Sequence, residues 1–269
     1  MSRKTGMRVN ALILAGNRGG TDSIAALTGS SHKALAPING VPMLLRLLRC
    51  LTACPEVAQI YVCIDDTSLL EDVPELAAAL HGGVLKIIAP AASPAGSVAA
   101  ALQRIGLDEP LLVTTADHPL LTPEMVAHFL GEAPEDGDLT VAVARIDVIT
   151  AAYPESIRTG YRLAGQGYSG CNLFLARRPA AAKVAVFWQR MEKFRKKPWR
   201  LVLEVGPFAL LRLVLGWLDL KAALNHLSRR TGARIRAVEM PFAEAAIDVD
   251  KPTDYELVTT ILRRRENAA

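Results

Sequence analysis

The sequence predicts one α/β domain over residues 1–269, a single mostly parallel, helix-flanked sheet with a helical insertion at about 178–236. Three observations predict it. Short apolar runs alternate with helical stretches through the first half of the chain, the pattern of strands joined by crossover helices. Hydrophobic residues make up 51% of the chain but aromatics only 5%, which suits helices packed on a parallel sheet better than a sandwich. Between the last two strand candidates lies a stretch of roughly 60 residues of mainly helical pattern, which interrupts the order.

The elements follow from the residues in turn. Ala11 to Ala15 is an apolar run that breaks into Gly16, Gly19 and Gly20; Ser31-His32-Lys33 and Pro37-Ile38-Asn39-Gly40 then lead to a helix at Met43 to Leu51. Gln59 to Ile64 is a second strand, ending in Asp65-Asp66 before a helix around Leu69 to Leu80. Val84 to Ile88 is a third, followed by a Pro/Ala/Gly/Ser loop and an Ala-rich helix from Ser97. The fourth, Leu111 to Thr115, stops at Ala116-Asp117, after which Thr122 and Pro123 open a helix as N-cap and first helical residue. Leu139 to Ile146 and Cys171 to Leu175 read as strands, and Ala245 to Val249 as a short last strand before a helix of Asp254 to Arg264. In a sheet of this kind ligands bind beyond the carboxyl ends of the strands, so the loops there are expected to carry the chemistry.

Bulk properties narrow the function. A formal net charge of +4 is too small a footprint for nucleic acid, whereas an anionic small molecule needs only a local positive site. Cys50, Cys54, Cys63 and Cys171 form no CxxC pair and have no His at zinc spacing, which reads as reduced intracellular thiols, with Cys50 and Cys54 in the core. The N-terminal apolar run is too short for a signal peptide, so a cytoplasmic protein is expected.

The first strand-loop junction, Leu14-Ala15-Gly16-Asn17-Arg18-Gly19-Gly20, lets backbone amides approach a phosphate chain, because glycine lacks the Cβ that would block it. It matches neither GxxxxGK[ST] nor GxGxxG, and alone it is also compatible with an ordinary glycine-rich connection. Lys33 opens the stretch Lys33-Ala-Leu-Ala-Pro37-Ile-Asn-Gly40-Val-Pro42-Met43. Gly96-Ser97 lies at the start of a helix, where it reads by itself as an N-cap. Asp117 closes a buried strand, where a carboxylate needs a partner: a metal ion, or the loop amides that it caps. Asp248 and Asp250 are two apart, so on a strand they share a face and suit a shared cation, unless Asp250 only caps the last helix. His32, His81, His118, His128 and His226 show no partner set for catalysis.

Together, Leu14-Ala15-Gly16 and the Lys33 to Met43 stretch resemble the MobA-like NTP transferase family, a Rossmann-like fold of the GT-A type. The resemblance spans roughly residues 9–177 and 237–262. It implies that Lys33 contacts the triphosphate or an acceptor phosphate, and that Gly96 and Ser97, in a G-x-x-x-S-(V/L) type element, meet base and ribose. It further implies that Asp117 holds magnesium, that Asp248 or Asp250 completes the metal site, and that Gly170 and Asn172 of Gly170-Cys171-Asn172-Leu173-Phe174 face the acceptor. In the first loop the family commonly has an Arg shortly after the glycines; here Thr21-Asp22-Ser23-Ile24 follows, with Arg18 as the substitute.

The implied reaction transfers a nucleoside monophosphate from an NTP co-substrate, with Mg2+, to a small phosphorylated or otherwise anionic acceptor, releasing pyrophosphate. Two other classes share the fold: a GT-A glycosyltransferase using a nucleotide-sugar, which would carry Asp-x-Asp where this chain has Asp117-His118-Pro119, and a catalytically silent nucleotide-binding module. In the insertion, Arg190, Lys193, Arg195, Lys196, Lys197 and Arg200 precede an apolar run from Phe208 to Leu218 broken only by Arg212. Segment 188–220 is thereby expected to pack in the core, form a homodimer contact or touch an anionic membrane surface.

Overall fold

The apolar run near the start of the chain lies at the centre of an eight-stranded sheet. A computed structural model of the chain describes residues 7–16, 22–156, 158, 160–194 and 218–268. β1 (Val9–Leu14) pairs in parallel with β4 (Val57–Cys63) on one side and β6 (Leu111–Thr115) on the other, and β4 pairs in parallel with β5 (Leu85–Ile88). A strand covered on both faces needs apolar residues at successive positions, and Ala11, Leu12 and Ile13 are all fully buried.

Beyond β6 the order continues through β9 (Gln166–Ala176) and β7 (Leu139–Arg145) to β10 (Ile235–Glu239), with β8 (Tyr161–Leu163) hairpinned onto β9. β9 runs antiparallel to both β6 and β7, and β10 returns parallel to β7. The sheet is therefore mostly parallel and flanked by helices, as the alternation predicts.

One face carries α2 (Met43–Thr52), α3 (Pro74–His81) and α5 (Pro123–Glu132) over a core that includes Ile13, Leu44, Val62, Leu76, Leu112 and Phe129. On the other, α4 (Pro94–Ile105) and α7 (Ala181–Phe194) cover Leu12, Cys63, Ile88 and Val113. A separate apolar cluster joins α1 (Ser23–Thr28), β2 (Pro37–Ile38) and α9 (Pro252–Ala268) through Ile24, Ile38, Met43, Leu120, Ile247, Val249 and Val258. The hydroxyl of Tyr255 donates to the Pro37 carbonyl at 2.7 Å, fixing the last helix against the early part of the chain. This cluster delivers residues 247–250 to the carboxyl end of β6. Between β2 and β3 (Val41–Pro42) the chain reverses at Asn39-Gly40, with φ of 48° and 75°; the Cβ-free Gly40 makes this tight turn cheap.

Several boundaries differ from the sequence expectation. The helix expected from Leu69 starts at Pro74, which fixes its first turn, and Thr67–Leu70 forms a separate 3-10 turn capped by Asp66. Ser93, not Gly96 or Ser97, caps α4: its Oγ accepts from Gly96 N at 3.2 Å, and Pro94 follows as first helical residue. The strand expected at Ala245 to Val249 does not form. Ala243–Ala246 is a 3-10 turn, and 247–250 runs extended without joining the sheet. Within the expected helical insertion, α7 and α8 (Leu220–Thr231) flank residues 195–217, which lie outside the described residues, and β10 begins at Ile235. No helix among the described residues is long and apolar enough to cross a membrane. All four cysteines are buried and free.

Candidate active site

Loops at the carboxyl ends of β1, β4, β5 and β6 surround a cavity of about 380 Å³. Leu14, Ala15 and Gly16 enter it from β1, Asp65 from β4, Pro90 to Pro94 and Ser97 from the β5 side, and Thr115 to Asp117 from β6; Lys33 and Asp250 complete one wall.

Lys33 begins a 3-10 turn, Lys33–Leu35, whose first free amide, Ala34 N, donates to His32 Nδ1 at 3.1 Å. From this anchored position Lys33 Nζ donates to Asp117 Oδ2 at 2.7 Å and to Asp250 Oδ1 at 2.8 Å. Burial alone would lower the lysine pKa, but the Asp117 charge and hydrogen bonds to both carboxylates outweigh it and hold the ammonium above its ordinary value.

Asp117 sits just past β6, and its carbonyl accepts from Val249 N at 2.8 Å. That bond sets the register of the extended segment, in which Ile247 and Val249 turn into the core while Asp248 and Asp250 emerge on the opposite side. The shared face expected of the two acids is therefore present, although the segment belongs to no sheet.

The two acids have different partners. Asp248 Oδ1 accepts from Arg158 Nη1 at 2.7 Å, and its Oδ2 accepts from Asn172 Nδ2 at 2.9 Å. Asn172 can reach it because β9 bulges there: Val141 pairs with Phe174 but Val143 with Gly170, and Asn172 takes φ of 47°. Burial, reinforced by the charges of Asp117 and Asp250, raises the Asp248 pKa to about 6, with Arg158 pulling the other way. Asp254 binds Arg158 Nη2 through Oδ1 at 2.7 Å, and through Oδ2 accepts from the backbone N–H groups of Asp250 and Lys251. It thereby sets the backbone that carries Asp250.

Lys33, Asp117 and Asp250 thus meet at one ammonium, with Asp248 and Asn172 beside them. Ser97 Oγ accepts from Ala91 N at 2.9 Å and shapes the β5 loop. Gly96 does not line the cavity; a Cβ there would come within 3.0 Å of Gln189 Nε2 and 3.2 Å of the Ala91 Cβ, so its glycine serves close packing of α4 against α7. Gly170 lines no part of the cavity either and has open space where a side chain would stand. Asn17, Arg18, Gly19 and Gly20 lie outside the described residues.

Arg158 and Asp254 organise the acidic pair; the sequence does not single out Arg158, and it gives no role to Asp254, the last residue of the Asp248 to Asp254 stretch that resembles the family. Arg158 has no local signal, since its partners lie 90 and 96 positions away. His32, also missed, is buried on the cavity wall with Nδ1 engaged and Nε2 without a hydrogen-bond partner.

Magnesium needs hard oxygen donors. Asp117 and Asp250 supply them, already converging on one cation, and Asp117 Oδ1 is buried without a hydrogen-bond partner, so these two residues fit the ion. Asp248 is set apart from them, since its oxygens accept from Arg158 and Asn172 and not from Lys33. Among the described residues no three His, Cys, Asp or Glu side chains are arranged around one metal position.

The profile of the family described as "MobA-like NTP transferase domain" matches residues 11–195. Among solved structures, a hypothetical transferase from Thermus thermophilus is 30% identical with a TM-score of 0.73, over 93% of this chain and all of that one. CMP:2-keto-3-deoxy-manno-octonic acid synthetase, complexed with CTP, shares the fold at 15% identity and a TM-score of 0.57, over 96% of this chain and 99% of that one. No curated protein matches the chain.

Proposed function

As this chain belongs to the family of MobA-like NTP transferase domains, we propose that it transfers a nucleoside monophosphate from an NTP to a small phosphorylated or otherwise anionic acceptor, releasing pyrophosphate, with Mg2+ as cofactor. The observation that carries this reading is the meeting of Lys33, Asp117 and Asp250 at the carboxyl ends of the central strands, in a cavity that Gly16 and Ser97 also line.

An acceptor oxygen attacks the α-phosphorus, the bond from that phosphorus to the bridging oxygen breaks, and pyrophosphate leaves with the bond electrons. An anionic acceptor is nucleophilic without losing a proton, so the residues need to orient and neutralise rather than act as a base. The loop after β1 receives the phosphates along its backbone, and the Ala91 to Ser97 loop borders the nucleoside. Lys33 offsets the charge that gathers on the leaving phosphates. Magnesium held by Asp117 and Asp250 would supply further charge neutralisation on the triphosphate. The four free thiols suit the cytoplasmic setting that belongs to this reading.

The test is release of pyrophosphate from each of ATP, GTP, CTP and UTP, with Mg2+ and a panel of sugar phosphates and other anionic acceptors. One NTP is expected to react, and the same one to raise the melting temperature in the presence of Mg2+. Binding without any pyrophosphate release would point to the silent module, and turnover of nucleotide-sugars to the glycosyltransferase.

A further inference from the structure

Asp117 and Asp250 are placed by backbone bonds that do not involve Lys33. The Asp117 carbonyl holds Val249 N, and Asp254 holds the N–H of Asp250 itself. Two carboxylates fixed this close repel one another, the more so with water partly excluded and with Asp248 nearby as a third acid. The Lys33 ammonium, at 2.7 and 2.8 Å from them, offsets that repulsion. Among the described residues, Arg158 is held by Asp248 and Asp254. A divalent ion seeking Asp117 Oδ2 and Asp250 Oδ1 would therefore seek the ammonium's own position, and two cations cannot share it.

We infer that Lys33 is a stand-in for the divalent cation: without nucleotide its ammonium holds the position between Asp117 and Asp250, and the metal enters only together with the triphosphate, whose oxygens draw Lys33 away. The order of binding is then built into one side chain. Metal alone finds the position filled, while the metal-triphosphate complex brings both the ion and a new anionic partner for the displaced lysine. This inference rests on the nucleotidyltransferase reading, and its test reads metal binding rather than turnover.

The experiment titrates Mn2+ into the full chain without nucleotide, following the free-ion electron paramagnetic resonance signal and the melting temperature. Lys33→Met is expected to bind one Mn2+ at least about tenfold more tightly than wild type, the direction set by removing a like charge from the ion's position. Lys33→Arg, which keeps the charge, should behave as wild type. Adding Asp250→Asn to Lys33→Met should abolish the gain. Equal Mn2+ affinity in wild type and Lys33→Met would overturn the inference.

Should Lys33→Met fail to fold, wild type decides: sequestration of one equivalent of Mn2+ at micromolar concentrations without nucleotide overturns the inference, and no sequestration supports it. A wild type that releases pyrophosphate yet binds Mn2+ as tightly as the variant sinks this inference and leaves the functional reading intact. A wild type that binds no NTP with any metal sinks the functional reading, whatever Mn2+ does alone.

Discussion

Arg158 and Asp254 meet at 2.7 Å, and the same guanidinium reaches Asp248 with its other terminal nitrogen at 2.7 Å. One buried cation thereby organises both acids that flank Asp250. Arg158 is 8% exposed and Asp254 14%, so removing the guanidinium leaves two carboxylates poorly hydrated and uncompensated. Arg158→Met is expected to destabilise the fold by about 3 kcal/mol, measured by urea denaturation. Arg158→Lys should recover only part of it, because one ammonium cannot span both carboxylates as a fork does. A change within experimental error in Arg158→Met would show that the pairs contribute nothing.

Asp248 and Asp250 should separate under substitution. Asp250→Asn is expected to raise the Mg2+ concentration that half-saturates pyrophosphate release by about tenfold or more, since it removes a charged ligand. Asp248→Asn retains an acceptor for Arg158 and should move that concentration far less. Asp117→Asn should lower the rate by about a hundredfold or more. Equal metal dependence in the Asp248 and Asp250 variants would contradict the division of roles.

Acid should destabilise the protein through its buried histidines. Burial pushes the His118 pKa down to about 4 from an unfolded value of 6.5, and burial also lowers His32, against the opposing charges of Asp65, Asp22 and Asp66. A folded pKa below the unfolded one means that the unfolded chain binds more protons. Stability is therefore intact above pH 6.5 and is lost as pH falls towards 4, by about 3 kcal/mol for His118. Asp248 acts in the opposite sense: with its folded pKa raised to about 6 from 3.8, its share of stability is present below 3.8 and lost as pH rises through 6. Because the two contributions oppose one another, the stability profile from pH 7 to pH 4 should tilt towards greater acid stability in His118→Gln and towards greater acid loss in Asp248→Asn, each relative to wild type. Parallel curves for wild type and His118→Gln would rule the histidine out.

Gly96 should resist enlargement. A first carbon there would stand 3.0 Å from Gln189 Nε2, which can swing aside, but also 3.2 Å from the Ala91 Cβ and 3.4 Å from the Ser93 Oγ that caps α4. Gly96→Ala is expected to cost about 1 kcal/mol, because its Cβ already crowds Ala91. Gly96→Val should cost about 1–3 kcal/mol and weaken NTP binding, since it pushes on the loop that borders the cavity. Calorimetric melting and nucleotide titration of the two variants would check this, and a Gly96→Val protein that binds NTP normally would refute it.

What could be read in advance divides along physical lines. Strands covered on both faces, such as β1 and β6, announce themselves as apolar runs, and ligands bind beyond the carboxyl ends of parallel strands, which is why chemistry was expected in the connections that hold Lys33 and Asp117. β10 was not expected: Ile235 and Val238 are its only large apolar residues, and an edge strand two apolar residues deep looks like a helical turn. Segment 247–250 keeps the alternation of a strand but hydrogen-bonds to the Asp117 carbonyl instead of a ladder, a distinction no local pattern encodes. Arg158 stayed hidden because its partners are remote, and the bulge that brings Asn172 to Asp248 leaves no mark in the hydrophobic pattern.

The bond from Val249 to Asp117 also sets a schedule for the newborn chain. As the polypeptide emerges from the ribosome, β1 to β6 and Lys33 precede residues 248–254. A growing chain would thus hold Lys33 and Asp117 before it holds Asp250, the acid that shares the same ammonium. The three side chains can meet only after Val249 has reached the Asp117 carbonyl, so it is this docking that closes the wall Lys33 and Asp250 form.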